Sequence, residues 1–254
     1  MAAQELRISL IQSPLHWEQP AANRALFDQK LAGLKGQTDL VVLPEMFTTG
    51  FSMNAVDMAE NMEGPSLEWM HRQARELEAV VTGSLIIEDK GQYYNRLLWV
   101  QPDGRQHTYD KRHLFTLAGE HRHYSGGQER LIVEYKGWKI CPLICYDLRF
   151  PVWSRNTVDY DLLIYVANFP AKRSLAWKTL LQARAIENLA YTIGVNRVGT
   201  DENDIYYSGD SSLIDYEGNI LFQQADEEAI FTTSLSYQAQ QSFRQRFNFL
   251  ADRD

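Results

Sequence analysis

The stretch Pro142-Leu143-Ile144-Cys145-Tyr146-Asp147-Leu148-Arg149-Phe150-Pro151 joins an apolar run to a cysteine, then to polar residues, then to a proline. Trp138–Leu143 reads as a buried strand. A helix is expected to start near Pro151, because proline is tolerated in a first turn, where its missing N–H is not needed. The cysteine therefore stands where a strand turns into a helix, with the following backbone N–H groups facing whatever its sulfur meets. That is the position of a nucleophile. It also suits a buried structural cysteine, since free Cys is among the most buried residue types. Local sequence alone leaves both readings open. Cys141, four residues earlier and inside the strand, fits inert core.

Outward from this stretch, strand-like and helix-like segments alternate. Strands are expected at Leu6–Gln12, Asp39–Leu43, Val80–Ile87, Asn95–Val100 and Gln106–Tyr109. They resume after a long polar loop, Phe115–Gln128, at Leu131–Tyr135, Leu162–Val166, Tyr191–Val195, Ser211–Asp215, Ile220–Phe222 and Glu228–Leu235. Ala21–Leu34 has Leu26, Phe27, Leu31 and Leu34 at helical spacing. Leu67–Leu77, led by Pro65, and Leu175–Leu189, with Ser174 as its expected N-cap, read as further helices, and the tail from Tyr237 as a last one. Pro102-Asp103-Gly104 is hairpin-turn chemistry. Interleaved strands and helices with direct strand–turn–strand pairs imply an α/β fold of two mixed sheets with helices outside. No Pro/Gly/Ser-rich linker divides the chain, so residues 1–254 read as one domain. Leu40–Glu45 faintly echoes Leu162–Ala167, a hint of two similar halves.

The 254 residues include 25 Lys plus Arg against 33 Asp plus Glu, a net charge of -8, which argues against an electrostatic nucleic-acid binder. No apolar run approaches the ~20 residues of a membrane span. The Met1–Leu10 stretch carries charges at positions 5 and 7 and no apolar core of a secretion signal. Cys141 and Cys145 are the two cysteines, so there is no disulfide framework, and a reducing cytoplasm is expected.

A cysteine nucleophile needs a base or a lowered pKa, because a free thiol sits near ~8.5. None of the six histidines (16, 71, 107, 113, 121, 123) comes with a Cys–His signature. His121-Arg122-His123 resembles a metal pair but lacks a third ligand at known spacing, and no metal or cofactor is expected. A carboxylate is better placed: Glu45 directly follows Val41-Val42-Leu43-Pro44, at a strand C-terminus, where α/β folds build sites. Lys111, after the strand ending at Tyr109, reads in isolation as a surface charge. No G-x-S-x-G and no G-x-G-x-x-G after a strand is present, which disfavours serine hydrolases and dinucleotide enzymes.

Leu43-Pro44-Glu45-Met46-Phe47, Tyr109-Asp110-Lys111-Arg112-His113-Leu114-Phe115 and Cys145 to Pro151 together resemble, in order and spacing, the three motifs of the nitrilase superfamily of carbon–nitrogen hydrolases. The resemblance spans essentially the whole chain. It implies a four-layer α-β-β-α sandwich, a homodimer, and a catalytic Glu45–Lys111–Cys145 triad with Glu120 as the family's second glutamate. It also implies Lys111 and the Tyr146 backbone N–H as oxyanion donors. Phe47 to Met53, Tyr165 to Pro170 and Ala183 to Asn188 are similar to bacterial ω-amidases, which implies a 2-oxo dicarboxylic acid monoamide as small-molecule substrate. The free carboxylate of such a substrate calls for a cation. Arg173 is the first candidate and Arg149 the second, the latter with an ion pair to Asp147 as its alternative. Asn168 is assigned to the same pocket. Phe47, Phe115, Tyr146 and Trp177 are candidate aromatic walls, each with plain core packing as the alternative. Nitrile or N-carbamoyl hydrolysis on the same triad, and a non-catalytic scaffold, are the competing readings.

Overall fold

A computed structural model describes residues 5–253; residues 1–4, part of the stretch read for a secretion signal, and Asp254 lie outside the described residues. The first half runs β1 (Leu6–Gln12), α1 (Pro20–Leu31), β2 (Leu40–Val42), α2 (Ala55–Met58), α3 (Pro65–Leu77), β3 (Val80–Asp89), β4 (Gln92–Val100) and β5 (Gln106–Asp110). The second runs β6 (Val133–Tyr135), β7 (Trp138–Ile144), α4 (Pro151–Ser154), β8 (Leu162–Ala167), α5 (Ser174–Asn188), β9 (Tyr191–Asn196), β10 (Val198–Thr200), β11 (Tyr206–Ile214), β12 (Ile220–Ala225), β13 (Ala229–Leu235) and α6 (Tyr237–Arg246).

The strands form two mixed sheets, ordered β13-β1-β2-β3-β4-β5 and β10-β11-β9-β8-β7-β6, with β12 paired to β11. Both sheets share one plan. Three neighbouring strands are parallel, β1-β2-β3 in one and β7-β8-β9 in the other. Antiparallel strands flank them, β13 and β4 in the first, β6 and β11 in the second.

Period-two alternation builds the layers. Ile8, Leu10, Leu40, Val42, Leu97 and Trp99 pack with Ile140, Ile164 and Ile193 in a core shared by the sheets. Their neighbours Ile11, Val41, Leu43, Val81, Leu98 and Val100 face the other way, onto Phe27 and Leu31 of α1 and Trp69, Met70 and Leu77 of α3. Each such fully buried side chain contributes roughly 1.5–3 kcal/mol. On the far side α5 lies so close to β9 that a Cβ at Gly194 would stand 2.4 Å from Leu181 Cδ1. The result is the α-β-β-α sandwich.

Two local expectations need correction. Ser174 does not cap α5; it is the first helical residue, and its hydroxyl donates to Asp210 Oδ2 at 2.7 Å. The strand expected from Ser211 begins at Tyr206. Ser208-Gly209-Asp210 has the composition of a turn but forms a β-bulge, with Gly209 at φ 74° and Asp210 at φ 56° and the pairing to β12 shifting register there. β10 is a strand the sequence reading does not contain.

Asp39, just before β2, ties the sheets together at one corner. It accepts from the Arg7 backbone N–H and guanidinium on β1, both at 2.9 Å, and from Lys136 in the β6–β7 turn at 2.6 Å. Burial opposes the charge, but these donors prevail and hold the carboxyl near 2 instead of the ordinary 3.8. A depressed carboxylate stabilises the fold above its unfolded value and loses that contribution as pH falls through the folded one. In urea unfolding the stability advantage of wild type over Asp39→Asn should therefore be full at about pH 5 and shrink towards about pH 2. An advantage independent of pH would contradict this.

Candidate active site

Strand ends bring the polar residues together. Glu45 follows β2 through Leu43-Pro44, Lys111 follows β5, Cys145 follows β7, and Glu120 lies in a 3-10 turn spanning Glu120–Arg122. Lys111 Nζ stands 2.9 Å from Glu45 Oε1 and 3.0 Å from each Glu120 oxygen. All three side chains are fully buried. Asn95 on β4, which the sequence reading missed, donates to Glu45 Oε1 at 2.7 Å and to Glu120 Oε1 at 3.4 Å. Glu45 is fixed from the other sheet as well: the Asn168 N–H donates to Oε2 at 2.8 Å, and Asn168 Nδ2 donates to the Glu45 carbonyl at 2.6 Å. The Cys145 sulfur lies 4.0 Å from the Asn168 carbonyl oxygen.

Two of these strand ends are strained. Met46, next to Glu45, has φ 42°, and Cys145 has φ 41°. Left-handed backbone at a non-glycine residue costs about 1–3 kcal/mol and persists only where the surroundings impose it. It turns the chain sharply, so that Cys145 opens the 3-10 turn Cys145–Arg149.

The electrostatics follow from one ammonium between two carboxylates. Burial works against the charge on Lys111, but Glu120, Glu45 and Cys145 outweigh it and raise its pKa. Burial also raises that of Glu120, opposed by Lys111 and reinforced by Glu45. Burial and then Glu45 push the Cys145 thiol well up, with Lys111 pulling the other way. These shifts favour a charged lysine beside a neutral thiol at rest. Cys141, fully buried, is pushed up to about 12 chiefly by burial.

A cleft opens over Cys145 and Lys111. Of the residues the sequence assigned to a pocket, Phe115, Tyr146, Arg149, Asn168 and Arg173 line it. Phe47 and Trp177 do not. Phe47 turns back after Met46 into the helix-side core, edge-on to Phe27 at 5.5 Å. Trp177 stands behind the wall, against Phe169 at 5.1 Å, its indole N–H donating to the Asp210 carbonyl at 2.9 Å. The alternative partner for Arg149 is also corrected, because Asp147 makes no ion pair with it among the described residues. Phe51, whose ring lies 5.0 Å from Lys111 Nζ, together with Phe169, Ile205 and Tyr207, completes lining that the sequence reading missed. Phe51 lay within the quoted Phe47–Met53 stretch, whereas Tyr207 was hidden by the turn-like bulge after it.

Residues 115–128 are anchored at several points. The Phe115 N–H donates to Glu120 Oε2 at 2.5 Å, the Tyr124 hydroxyl to the Ser52 carbonyl at 2.6 Å, and the Gly127 N–H to the Lys111 carbonyl at 3.0 Å. A Cβ at Gly127 would stand 2.2 Å from the Asp110 carbonyl oxygen, which only glycine avoids. His121 and His123 are exposed, and among the described residues no three His, Cys, Asp or Glu side chains gather as a metal site.

The carbon–nitrogen hydrolase family profile matches residues 7–245. The chain is 48% identical over 250 residues to omega-amidase YafV of Escherichia coli K12, covering 98% of this chain and 97% of that one. It is 32% identical to 2-oxoglutaramate amidase of Bacillus subtilis strain 168, covering 94% and 93%. Among solved structures, the CN-hydrolase superfamily protein XC1258 from Xanthomonas campestris, which carries an arsenic adduct in its active site, superposes with a TM-score of 0.97 at 49% identity, covering 99% and 98%.

The buried charge cluster makes its own prediction. Lys111→Met leaves two carboxylates facing each other in the interior and should destabilise the protein by about 3–5 kcal/mol. Adding Glu120→Gln should recover part of that loss. Equal stability of the single and double variants in urea unfolding would contradict the coupling.

Proposed function

The chain belongs to the carbon–nitrogen hydrolase family, and we propose that within it the protein is an ω-amidase acting on 2-oxo dicarboxylic acid monoamides such as 2-oxoglutaramate and 2-oxosuccinamate. That it is a hydrolase of non-peptide carbon–nitrogen bonds follows from the family and from relatives along nearly the full chain. The observation that carries the substrate assignment is the charge of the cleft. Among the described residues its lining holds Arg149 and Arg173 beside Lys111, whose charge is already met by Glu45 and Glu120, and no carboxylate. Such a site favours an anionic amide. It disfavours glutamine and asparagine, whose 2-ammonium would face Arg149 and Arg173 without a counter-charge.

In the proposed reaction the carboxamide enters over Cys145 and the distal carboxylate meets Arg173, whose guanidinium is braced 4.9 Å over the Phe115 ring. Arg149 is more exposed and serves the rim. Glu45 takes the thiol proton as the sulfur attacks the amide carbon. The oxyanion is held by the Lys111 ammonium and the Tyr146 N–H, at the start of a turn where backbone N–H groups lack partners within the turn. Glu45 gives the proton to the nitrogen, ammonia leaves, and a thioester remains on Cys145. Glu45 then activates the water that releases the dicarboxylate. Glu120 holds Lys111 throughout. Only a cysteine with a base beside it can do this from a neutral thiol, which is the state the buried site favours.

We further propose that the enzyme works in the cytoplasm as a homodimer, without nucleic-acid or membrane partners. Two free cysteines suit a reducing compartment. Val152 on α4 and Leu175 and Ile186 on α5 are exposed apolar residues available to a contact between copies. Among the described residues no helix is long and apolar enough to cross a membrane.

Ammonia release from 2-oxoglutaramate, 2-oxosuccinamate, glutamine, asparagine and a simple nitrile tests the reading. Release is expected from the oxo-amides and should vanish in Cys145→Ala while the fold is kept. Release from glutamine alone, or turnover retained in the variant, would overturn it. Arg173→Ala should raise KM for the oxo-amides about tenfold or more, as expected for a lost charge-assisted contact, and change it far less for neutral amides. Equal effects on both would remove Arg173 from carboxylate binding.

A further inference from the structure

Asp147 lies two residues beyond the nucleophile, fully buried, and among the described residues no lysine or arginine reaches it. Each of its oxygens accepts two hydrogen bonds. Oδ1 takes the His113 backbone N–H at 3.0 Å and lies 2.8 Å from His113 Nδ1. Oδ2 takes the Tyr109 hydroxyl at 2.7 Å and the Ile144 backbone N–H at 3.1 Å. The identity of these donors is informative. Ile144 is the residue before the strained Cys145, while Tyr109 and His113 sit two residues to either side of Lys111. One carboxylate thus fastens both flanks of the lysine to the entrance of the nucleophile turn.

A turn cap would need only the Ile144 bond. The other three reach across to a different strand end. That end is itself held: Trp153 Nε1 donates to the Tyr109 oxygen at 3.0 Å, and the Arg112 N–H at 3.2 Å. The His113 ring stacks on Phe150 at 3.6 Å and 6°, and Phe150 meets Tyr146 edge-on at 5.2 Å. Burial and then Asp147 push the Tyr109 phenol well up, so it remains a donor.

We propose that Asp147 is a positioning residue that sets Lys111 against Cys145 by joining Tyr109 and His113 to Ile144. It touches no reacting atom and acts through the register of two strand ends. The proposal rests on the reading of Cys145 and Lys111 as reacting groups, and its test includes a measurement that needs no substrate.

Tyr109→Phe, His113→Ala, His113→Asn and Asp147→Asn are compared with wild type in three ways. These are thermal midpoint, kcat and KM per titrated Cys145 thiol, and the rate at which iodoacetamide alkylates Cys145, read by peptide mass spectrometry. Tyr109→Phe and His113→Ala should lower kcat about ten- to hundredfold, the scale of a small misplacement of catalytic groups, with KM within about twofold. Alkylation should slow in parallel, because Lys111 favours the thiolate. His113→Asn keeps a donor where Nδ1 stood and should recover most of the rate. If Tyr109→Phe and His113→Ala keep kcat and alkylation within about twofold of wild type, whatever their midpoints, Asp147 is a structural cap and the proposal falls. Should Asp147→Asn fail to fold, those two variants still decide. Should wild type hydrolyse no oxo-amide, the proposed function fails while the alkylation series still tests the positioning.

Discussion

The ammonium of Lys111, buried between Glu45 and Glu120, is the interaction on which the rest of the site depends. A lysine taken out of water with one carboxylate would be a marginal arrangement; with two it stays charged. The carboxylates of the cluster also bear on Cys145. The thiol is kept neutral at rest, and Glu45 is at once the counter-ion of Lys111 and the group that urges the proton to stay on sulfur. In the proposed reaction, chemistry begins when a substrate carbonyl offers the sulfur somewhere to put its electrons. A protected thiol of this kind is less open to oxidation and alkylation than a pre-formed thiolate.

The two sheets explain why the cluster lies where it does. Each has three parallel strands at its centre, and the parallel strands end on the same side of the fold. β2 leads into Glu45 and β8 into Asn168, the two strands whose sequences echo one another. Those ends meet across the sandwich, with the Asn168 N–H on the Glu45 carboxylate and its side-chain amide on the Glu45 carbonyl. Glu45, the proposed general base, is thereby pinned by the opposite sheet, and β7 delivers Cys145 to the same meeting point. The left-handed turns at Met46 and Cys145 are the strain that this convergence imposes.

The architecture was legible in the sequence because buried parallel strands are continuous apolar runs and stop abruptly at polar residues, as at Leu43-Pro44-Glu45 and Ile144-Cys145-Tyr146. Lys111 and Glu120 became candidates only through three motifs in order, since an isolated lysine after a short strand looks like surface. The pocket walls were the least legible. In irregular loops no period says where a side chain points, so Phe47 was named with no means of telling that Met46 turns it inward and leaves Phe51 to the cleft. Trp177 lies on a helix, but which face of α5 meets Gly194 of β9 is set by tertiary packing. Asn95 stands with Arg96 at the polar start of the apolar run Leu97–Val100, a signal with meaning only once its neighbours are known. Tyr207 was lost because Ser208-Gly209-Asp210 spells a turn and folds as a bulge.

The central claim is that every substrate passes through one acyl group on Cys145. The direct test is partitioning. 2-Oxoglutaramate and the corresponding ω-ethyl and ω-propyl esters are hydrolysed at a fixed methanol concentration, and the initial ratio of ω-methyl ester to acid is measured for each. The account expects a single ratio whatever the leaving group, because water and methanol compete for the same thioester, with both products absent in Cys145→Ala. A ratio that changes with the leaving group would mean that water attacks the substrate directly, and it would contradict the covalent role assigned to Cys145.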